Sequence, residues 1–348
     1  MSSGVPASPR VTVVIACHNL GAYLDEAVDS VFAQTFQDFD IVIIDDGSTD
    51  EATTRLLQRY DRPRTRVFRT ENRGLPAARN VGLRHTTAPY ICALDADDRL
   101  APACLERSVG VLDGDPSLAF ASHWLQTFGD EAREWKPERC DLAAVLDMNT
   151  INGAALTRRD AILAVGGWDE SMRDGCEDWD LWLTLLERGH RGTIIPEVLF
   201  FYRRRTGSMS RHMMQSDVHL GVFGYLLQKH RDSYRRHLAE LTLRREVAIV
   251  SLLREIYDLD HDHYGWLLPE RERTDEELAA LREKEQRVRA DRARQAELQR
   301  LQVELQSLQA KVGLLEYEVT DLRTSWSWRI AAPLRAVYGW LLRLRGEK

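Results

Sequence analysis

The sequence predicts an α/β fold, a mostly parallel sheet flanked by helices. Three observations carry that reading. The β-branched run Val11-Thr12-Val13-Val14-Ile15 is followed by a helical pattern and then by a second run, Phe39 to Ile44, and strand, helix, strand implies parallel pairing. A third apolar run, Pro89 to Leu94, repeats the unit. Two of these runs end in carboxylates, Asp45-Asp46 and Asp95-Ala96-Asp97-Asp98, and open α/β sheets place their ligands at the carboxyl ends of their strands.

Each element follows from its residues. After the first strand, Ala16 to Gly21 reads as a polar turn, and Tyr23, Leu24, Ala27, Val28, Val31 and Phe32 recur at helical spacing. The second strand runs into Gly47-Ser48-Thr49-Asp50, a glycine turn with residues suited to cap a helix towards Tyr60. Arg66 to Arg69 reads as a third strand. Asn72-Arg73-Gly74-Leu75-Pro76 then opens a helix whose start would expose backbone N–H groups beside Arg73 and Arg79. Dipole and guanidinium act together there, so the segment suits phosphate.

Carboxylates as close as Asp95, Asp97 and Asp98 repel one another, and a hard divalent ion such as Mg2+ or Mn2+ relieves that strain. Asp46, the Gly74 to Asn80 segment and the Asp95 to Asp98 cluster converge on one crevice if the sheet is doubly wound. An acid for a base or ribose, cations for a diphosphate and carboxylates for a bridging metal describe a nucleoside-diphosphate site. Taken singly, each has a plain alternative: a solvated Asp-rich turn, or a capped surface helix. Neither a Gly-x-x-x-x-Gly-Lys-Ser/Thr nor a Gly-x-Gly-x-x-Gly motif is present, which speaks against a P-loop enzyme or a dinucleotide oxidoreductase.

Further on, Gly166-Gly167-Trp168-Asp169-Glu170 is a glycine turn ending in an aromatic, and Glu177-Asp178 opens a helix with the apolar stripe Leu181, Leu185, Leu186. Acids in a first turn favour the macrodipole, so capping competes with a catalytic reading that needs one carboxylate facing the crevice. A strand through Thr193-Ile194-Ile195 to Phe200 leads to Tyr202-Arg203-Arg204-Arg205, either phosphate contacts or a solvated basic loop.

In order and spacing these segments resemble the glycosyltransferase family 2 domain, the inverting, nucleotide-sugar-dependent enzymes with a GT-A fold. The resemblance rests on Val14-Ile15 to Asn19, Asp45 to Ser48, Asn72 to Asn80, Leu94 to Asp98, Gly166 to Asp169 and Glu177-Asp178, and covers residues 10 to 212. It implies that Asp46 contacts the nucleobase, Arg79 the diphosphate and Asp95 the ribose, that Asp97 ligates Mn2+ or Mg2+, and that Asp178 is the base. Asn19 and Gly74 join the donor side, while Trp168, Glu177 and Arg203 are expected to line the donor and acceptor pocket. Ala16-Cys17-His18 stands where many members carry a Pro and a Tyr. The Gln-x-x-Arg-Trp motif of processive synthases is absent, which favours transfer of one or a few sugars.

At 348 residues with 44% hydrophobic content the chain can bury a proper core. A net charge of −7 argues against a nucleic-acid binder. Five cysteines without a C-x-x-C pair indicate neither a disulfide framework nor a zinc site. Residues 1–9 read as a disordered start without a signal peptide, and no run of about 18 apolar residues appears, so nothing is expected to span a bilayer. Residues 213–269 read as a helical extension and 270–324 as a charged helix and coiled coil. Within the latter, Leu298, Leu301, Leu305, Leu308, Val312, Leu315, Val319 and Leu322 keep heptad spacing, which predicts a homo-oligomer or packing on the chain's own domain. The tail, 325–348, joins Trp326, Trp328 and Trp340 to Arg329, Arg335, Arg343 and Arg345, as in a helix lying on an anionic membrane surface or docked on the protein itself. Its Ser-Trp-Arg-x-x-x-Pro-Leu-Arg sequence resembles the ends of bacterial surface-polysaccharide glycosyltransferases, which implies a lipid-linked glycan acceptor at the cytoplasmic face of the membrane. Two other readings are a nucleotide-binding scaffold for partner enzymes and a nucleotidyltransferase, for which no pyrophosphate-releasing motif is found.

Overall fold

The computed structural model describes residues 8–206, 208, 216–259 and 294. The chain divides into two compact units, Met1–Glu246 and Val247–Lys348. The coiled-coil seam and the tryptophan-rich tail lie outside the described residues.

The first unit begins as the sequence predicts: β1 (Val11–Cys17), α1 (Gly21–Phe32), β2 (Phe39–Asp46), α2 (Glu51–Gln58), β3 (Thr65–Thr70), α3 (Leu75–Arg84) and β4 (Tyr90–Asp95). It continues with β5 (Arg99–Leu100), α4 (Cys104–Gly114), β6 (Leu118–Gly129), β7 (Glu134–Trp135), α5 (Leu142–Asp147), β8 (Leu156–Arg158), α6 (Arg159–Ala164), α7 (Glu177–Glu187) and β9 (Arg191–Arg204). Two helices, α8 (Ser216–Lys229) and α9 (Arg231–Leu259), follow.

Among the described residues nine strands form one sheet in the order β3-β2-β1-β4-β8-β6-β9-β5, with β7 paired to β6. The pairs β3-β2, β2-β1 and β1-β4 are parallel. The expectation of a mostly parallel sheet holds for that half only. Beyond β4, the pairs β4-β8, β8-β6, β6-β7 and β9-β5 are antiparallel and only β6-β9 is parallel, so the sheet is mixed.

Alternation decides the core. Val11, Val13 and Ile15 of β1 face one cluster with Leu24, Val28 and Val31 of α1, and Val14 faces the other with Leu83, Phe120 and Trp182. Both faces are covered, which is why the parallel strands read as continuous apolar runs. Gly82 lets α3 approach the sheet closely, because a Cβ there would meet Val14 Cγ1 at 2.2 Å. The helix can therefore lie directly on the sheet. Asp50 caps α2, its carboxylate accepting from the Thr53 N–H at 2.7 Å, which satisfies one of the free donors of the first turn.

Leu226 of α8 with Tyr234 and Leu241 of α9 joins the second cluster beside Trp168 and Trp179. Polar contacts fix the junction. Lys229 Nζ donates to Asp169 (2.6 Å) and to Asp180 of α7 (2.8 Å), and His230 bridges Asp180 (3.0 Å) and Glu187 (2.9 Å). Among the described residues no helix is long and apolar enough to cross a membrane.

Candidate active site at the strand ends

The register sets the ends of β2, β1 and β4 side by side: Cys17 pairs with Asp45, and Ala16 with Asp95. These strand ends and the loops beyond them carry Asn19, Asp46, Asp95 and Asp97.

Asp46 is buried, and its carboxylate accepts the backbone N–H groups of Arg73 and Gly74, each at 2.9 Å. The start of α3, read from sequence as an anion cradle, thus already holds an anion from the protein itself. Gly74, at φ 92°, makes that turn. Asn19 sits in the left-handed region at φ 57°, which Asn tolerates better than most residues. Its Oδ1 accepts from Thr49 N (2.8 Å) and Asp50 N (3.0 Å), tying the loop after β1 to the loop after β2. His18 Nδ1 donates to the Asp46 carbonyl at 2.9 Å, with the Asn72 amide beside the ring.

The three acids after β4 divide. Asp98 is 1% exposed and accepts the Arg203 N–H at 2.7 Å, so it points into the fold. Asp97 Oδ2 meets Arg205 Nε at 2.7 Å, and Asp95 Oδ1 meets Arg79 Nη2 at 2.8 Å. Burial and then the charge of Asp95 push the Asp97 carboxyl upward, against the pull of Arg205. Arg203, expected in the pocket wall, fastens the loop instead. Its Nε donates to the Asp97 carbonyl (2.8 Å), its guanidinium pairs with Glu26, and it lies over Phe128 and Tyr23 at 4.3 and 4.8 Å.

Arg79 is the centre of the arrangement. It is 3% exposed and lies between Asp95 and Glu177, with Glu177 Oε1 at 2.5 Å from Nη1. Burial alone would lower its pKa; the carboxylates of Asp95, Glu177 and Asp178 outweigh that and favour the charged form. Asp178 follows Glu177 at the first turn of α7. One oxygen accepts the Trp179 N–H (2.7 Å) and the other the Asn149 amide (3.3 Å). Burial raises its pKa, and Arg79 pulls the other way. Such a carboxylate is a better proton acceptor than a solvated one. Glu177 is raised too, chiefly by burial.

Trp168 is buried in the second core cluster rather than spread along a pocket wall. Asn80 holds its backbone twice, donating to its carbonyl (2.7 Å) and accepting its N–H (2.9 Å). The structure therefore joins Arg79, Asp95 and Glu177 in one contact group, with Asp178 next to Glu177 on α7 and held by Asn149 and the Trp179 N–H, and Asp97, Arg203 and Arg205 in another. Asp46, Gly74 and Asn19 organise the loops, and Trp168 sits in the core. Sequence reading missed Glu26, Tyr23 and Asn149, whose parts are set by tertiary contact alone; nothing in their local pattern marks them.

Asp95 and Asp97 offer hard oxygen donors that suit Mg2+ or Mn2+, and each now faces a cationic side chain, Arg79 and Arg205. Among the described residues no three His, Cys, Asp or Glu side chains close on one point. The residues fit a cation that completes its shell with phosphate oxygens and water, as Mg2+ commonly does.

Residues 12–167 match the family described as Glycosyl transferase family 2. EpsE of Bacillus subtilis is 28% identical over 239 residues, covering 65% of this chain and 82% of EpsE. Chondroitin synthase of Escherichia coli is 37% identical over 113 residues, covering 32% of this chain and only 16% of the synthase. A crystal structure of TarS 1-349 from S. aureus in complex with UDP-GlcNAc superposes with a TM-score of 0.50 at 15% identity, covering 65% of this chain and 72% of that one. At that identity the likeness speaks for the fold, a GT-A arrangement of mixed sheet and flanking helices. The family match and the relatives together make the chain a glycosyltransferase.

Proposed function

We propose that this glycosyltransferase moves a sugar from a nucleoside-diphosphate donor to a hydroxyl of a lipid-linked bacterial surface polysaccharide, of O-antigen or capsule type, by direct displacement with inversion. One observation supports the reading: Arg79, buried between Asp95 at the end of β4 and Glu177 at the start of α7, ties the turn that carries Asp178 to the strand ends, where open α/β sheets take their ligands. The UDP-GlcNAc bound by TarS and the polysaccharide product in the name of chondroitin synthase support the donor and acceptor classes.

In this mechanism Asp178 takes the proton of the acceptor hydroxyl as that oxygen attacks the anomeric carbon, and the proton ends on the Asp178 carboxylate. Asn149 and the Trp179 N–H keep that carboxylate aimed. Arg79 acts from below, fixing Asp95 and Glu177 so that α3, β4 and α7 present their groups together. Asp97, with Asp95, would hold Mn2+ or Mg2+, which offsets the charge developing on the departing nucleoside diphosphate. Arg203 keeps the Asp97 loop in place. The heptad seam Leu298 to Leu322 would make a homo-oligomer, and the segment 325–348 would attach the enzyme to an anionic membrane at the cytoplasmic face.

The test is a melting-temperature screen against UDP, GDP, dTDP and CMP and their sugars with and without Mn2+, followed by turnover with the sugar that binds. Stabilisation by one nucleotide family and loss of turnover in Asp178→Asn support the reading. A nucleotide that binds while Asp178→Asn matches wild type in every assay overturns it and favours a non-catalytic scaffold.

A further inference from the structure

We propose that Arg205 is a place-holder: its guanidinium neutralises Asp97 until a divalent cation takes the carboxylate, and the exchange frees Arg205 for the donor's diphosphate. The inference rests on Asp97 being the cation's ligand and goes beyond it by assigning what occupies that carboxylate beforehand.

Two arginines reach the Asp97 loop, and they are held differently. Arg203 makes the structural bonds: its N–H goes to Asp98 at 2.7 Å, its Nε to the Asp97 carbonyl at 2.8 Å, its guanidinium to Glu26, and two aromatic rings flank it. Its side chain is 14% exposed. Removing Arg205 would leave all of these in place. Arg205 stands just past the end of β9, its side chain is 27% exposed, and among the described residues that side chain meets the Asp97 carboxylate at 2.7 Å and the Tyr23 ring at 5.8 Å, while its carbonyl accepts the Ser208 N–H. It is the replaceable partner. Asp97 itself is only 14% exposed, and a carboxylate so shielded stays ionised at least cost with a positive charge beside it.

A guanidinium and a divalent ion compete for that carboxylate. The cation brings twice the charge and, with the donor, phosphate oxygens to complete its shell. Arg205 then loses its partner while β9 keeps it at the same loop, where a guanidinium suits phosphate. Cation and nucleoside diphosphate thus favour each other's binding, and linkage makes the effect reciprocal.

The experiment titrates Mn2+ into the full chain, following free Mn2+ by electron paramagnetic resonance, for wild type, Arg205→Ala, Arg205→Lys and Asp97→Ala, each alone and with UDP or GDP. Without nucleotide, Arg205→Ala should bind Mn2+ about three- to tenfold more tightly, because the competitor is gone. With Mn2+ saturating, it should bind the diphosphate at least about tenfold more weakly, and Arg205→Lys should lie between. Equal Mn2+ affinity in wild type and Arg205→Ala, with Asp97→Ala abolishing binding, overturns the place-holder and leaves the cation seat standing. Mn2+ binding that survives Asp97→Ala, or no Mn2+ binding by wild type with or without nucleotide, overturns the seat itself. Urea midpoints matching wild type exclude misfolding as the cause.

Discussion

Arg79 Nη1 and Glu177 Oε1 lie 2.5 Å apart across 98 residues of sequence, both side chains almost completely shielded from water. The pair fastens α3 to the first turn of α7. Breaking it from one side strands a buried charge, a loss of about 3–5 kcal/mol. Arg79→Ala should therefore shift the urea midpoint by that equivalent and abolish turnover. Arg79→Lys should rescue little, since an ammonium cannot bridge Asp95 and Glu177 with a planar fork. Turnover retained in Arg79→Ala would refute the central part given to this residue.

Asp178→Asn keeps shape and removes the proton acceptor. Turnover should fall by about 10²–10⁴, while the nucleotide-dependent rise in melting temperature stays as in wild type. A loss of nucleotide binding in proportion to turnover would instead make Asp178 part of the donor site.

His230 gives a pH signature of stability. Burial alone would lower its pKa, but the hydrogen bonds to Asp180 and Glu187 outweigh that and raise it from 6.5 to about 8. The folded state holds this proton more tightly than the unfolded one. The stabilisation is complete below pH 6.5 and is lost as pH rises through 8, amounting to about 2 kcal/mol by linkage. Urea midpoints measured from pH 6 to 9 should fall in wild type and fall less in His230→Ala.

Gly82 tests the closeness of α3 to the sheet. A methyl at this position would overlap Val14 Cγ1, so Gly82→Ala should destabilise by about 1–3 kcal/mol despite the better helix propensity of alanine. Pairing Gly82→Ala with Val14→Ala should recover part of the loss, which calorimetry can read directly.

How much was legible depends on where the information lies. The strands β1, β2 and β4 were readable because burial on both faces leaves unbroken apolar runs, and the helices between them because their stripes are local. Strand β6 was not. Its first half is buried but Trp124 to Phe128 are only partly so, and the mixed pairing of Leu118–Gly129 with β8 and β9 depends on partners far along the chain. Among the site residues, Asp178 and Asp97 could be named as carboxylates at strand and helix ends, but not their neighbours. Glu177 read as a pocket residue and Arg79 as a phosphate contact, since sequence offers no sign that they face each other. Asp46 at a strand end and Gly74 at a helix start were both marked, and only the tertiary fold shows that one satisfies the other. Trp168 after two glycines reads as a residue of the donor and acceptor pocket; only the tertiary fold shows it packed in the second core cluster, with Asn80 holding its backbone.

The carboxylate of Asp46 seated on α3 bears on the order in which ligands arrive. A helix start carries about half a positive charge, and a full negative charge already rests on this one. The helix therefore lends no net attraction to an incoming phosphate, and Asp95, Asp97, Glu177 and Asp178 outnumber Arg79 and Arg205 around the strand ends. A bare nucleoside diphosphate meets repulsion that a cation, or a nucleotide already carrying one, does not. Association should be ordered, metal first or metal with nucleotide, and the rate at which free nucleotide binds should rise with ionic strength as screening weakens that barrier.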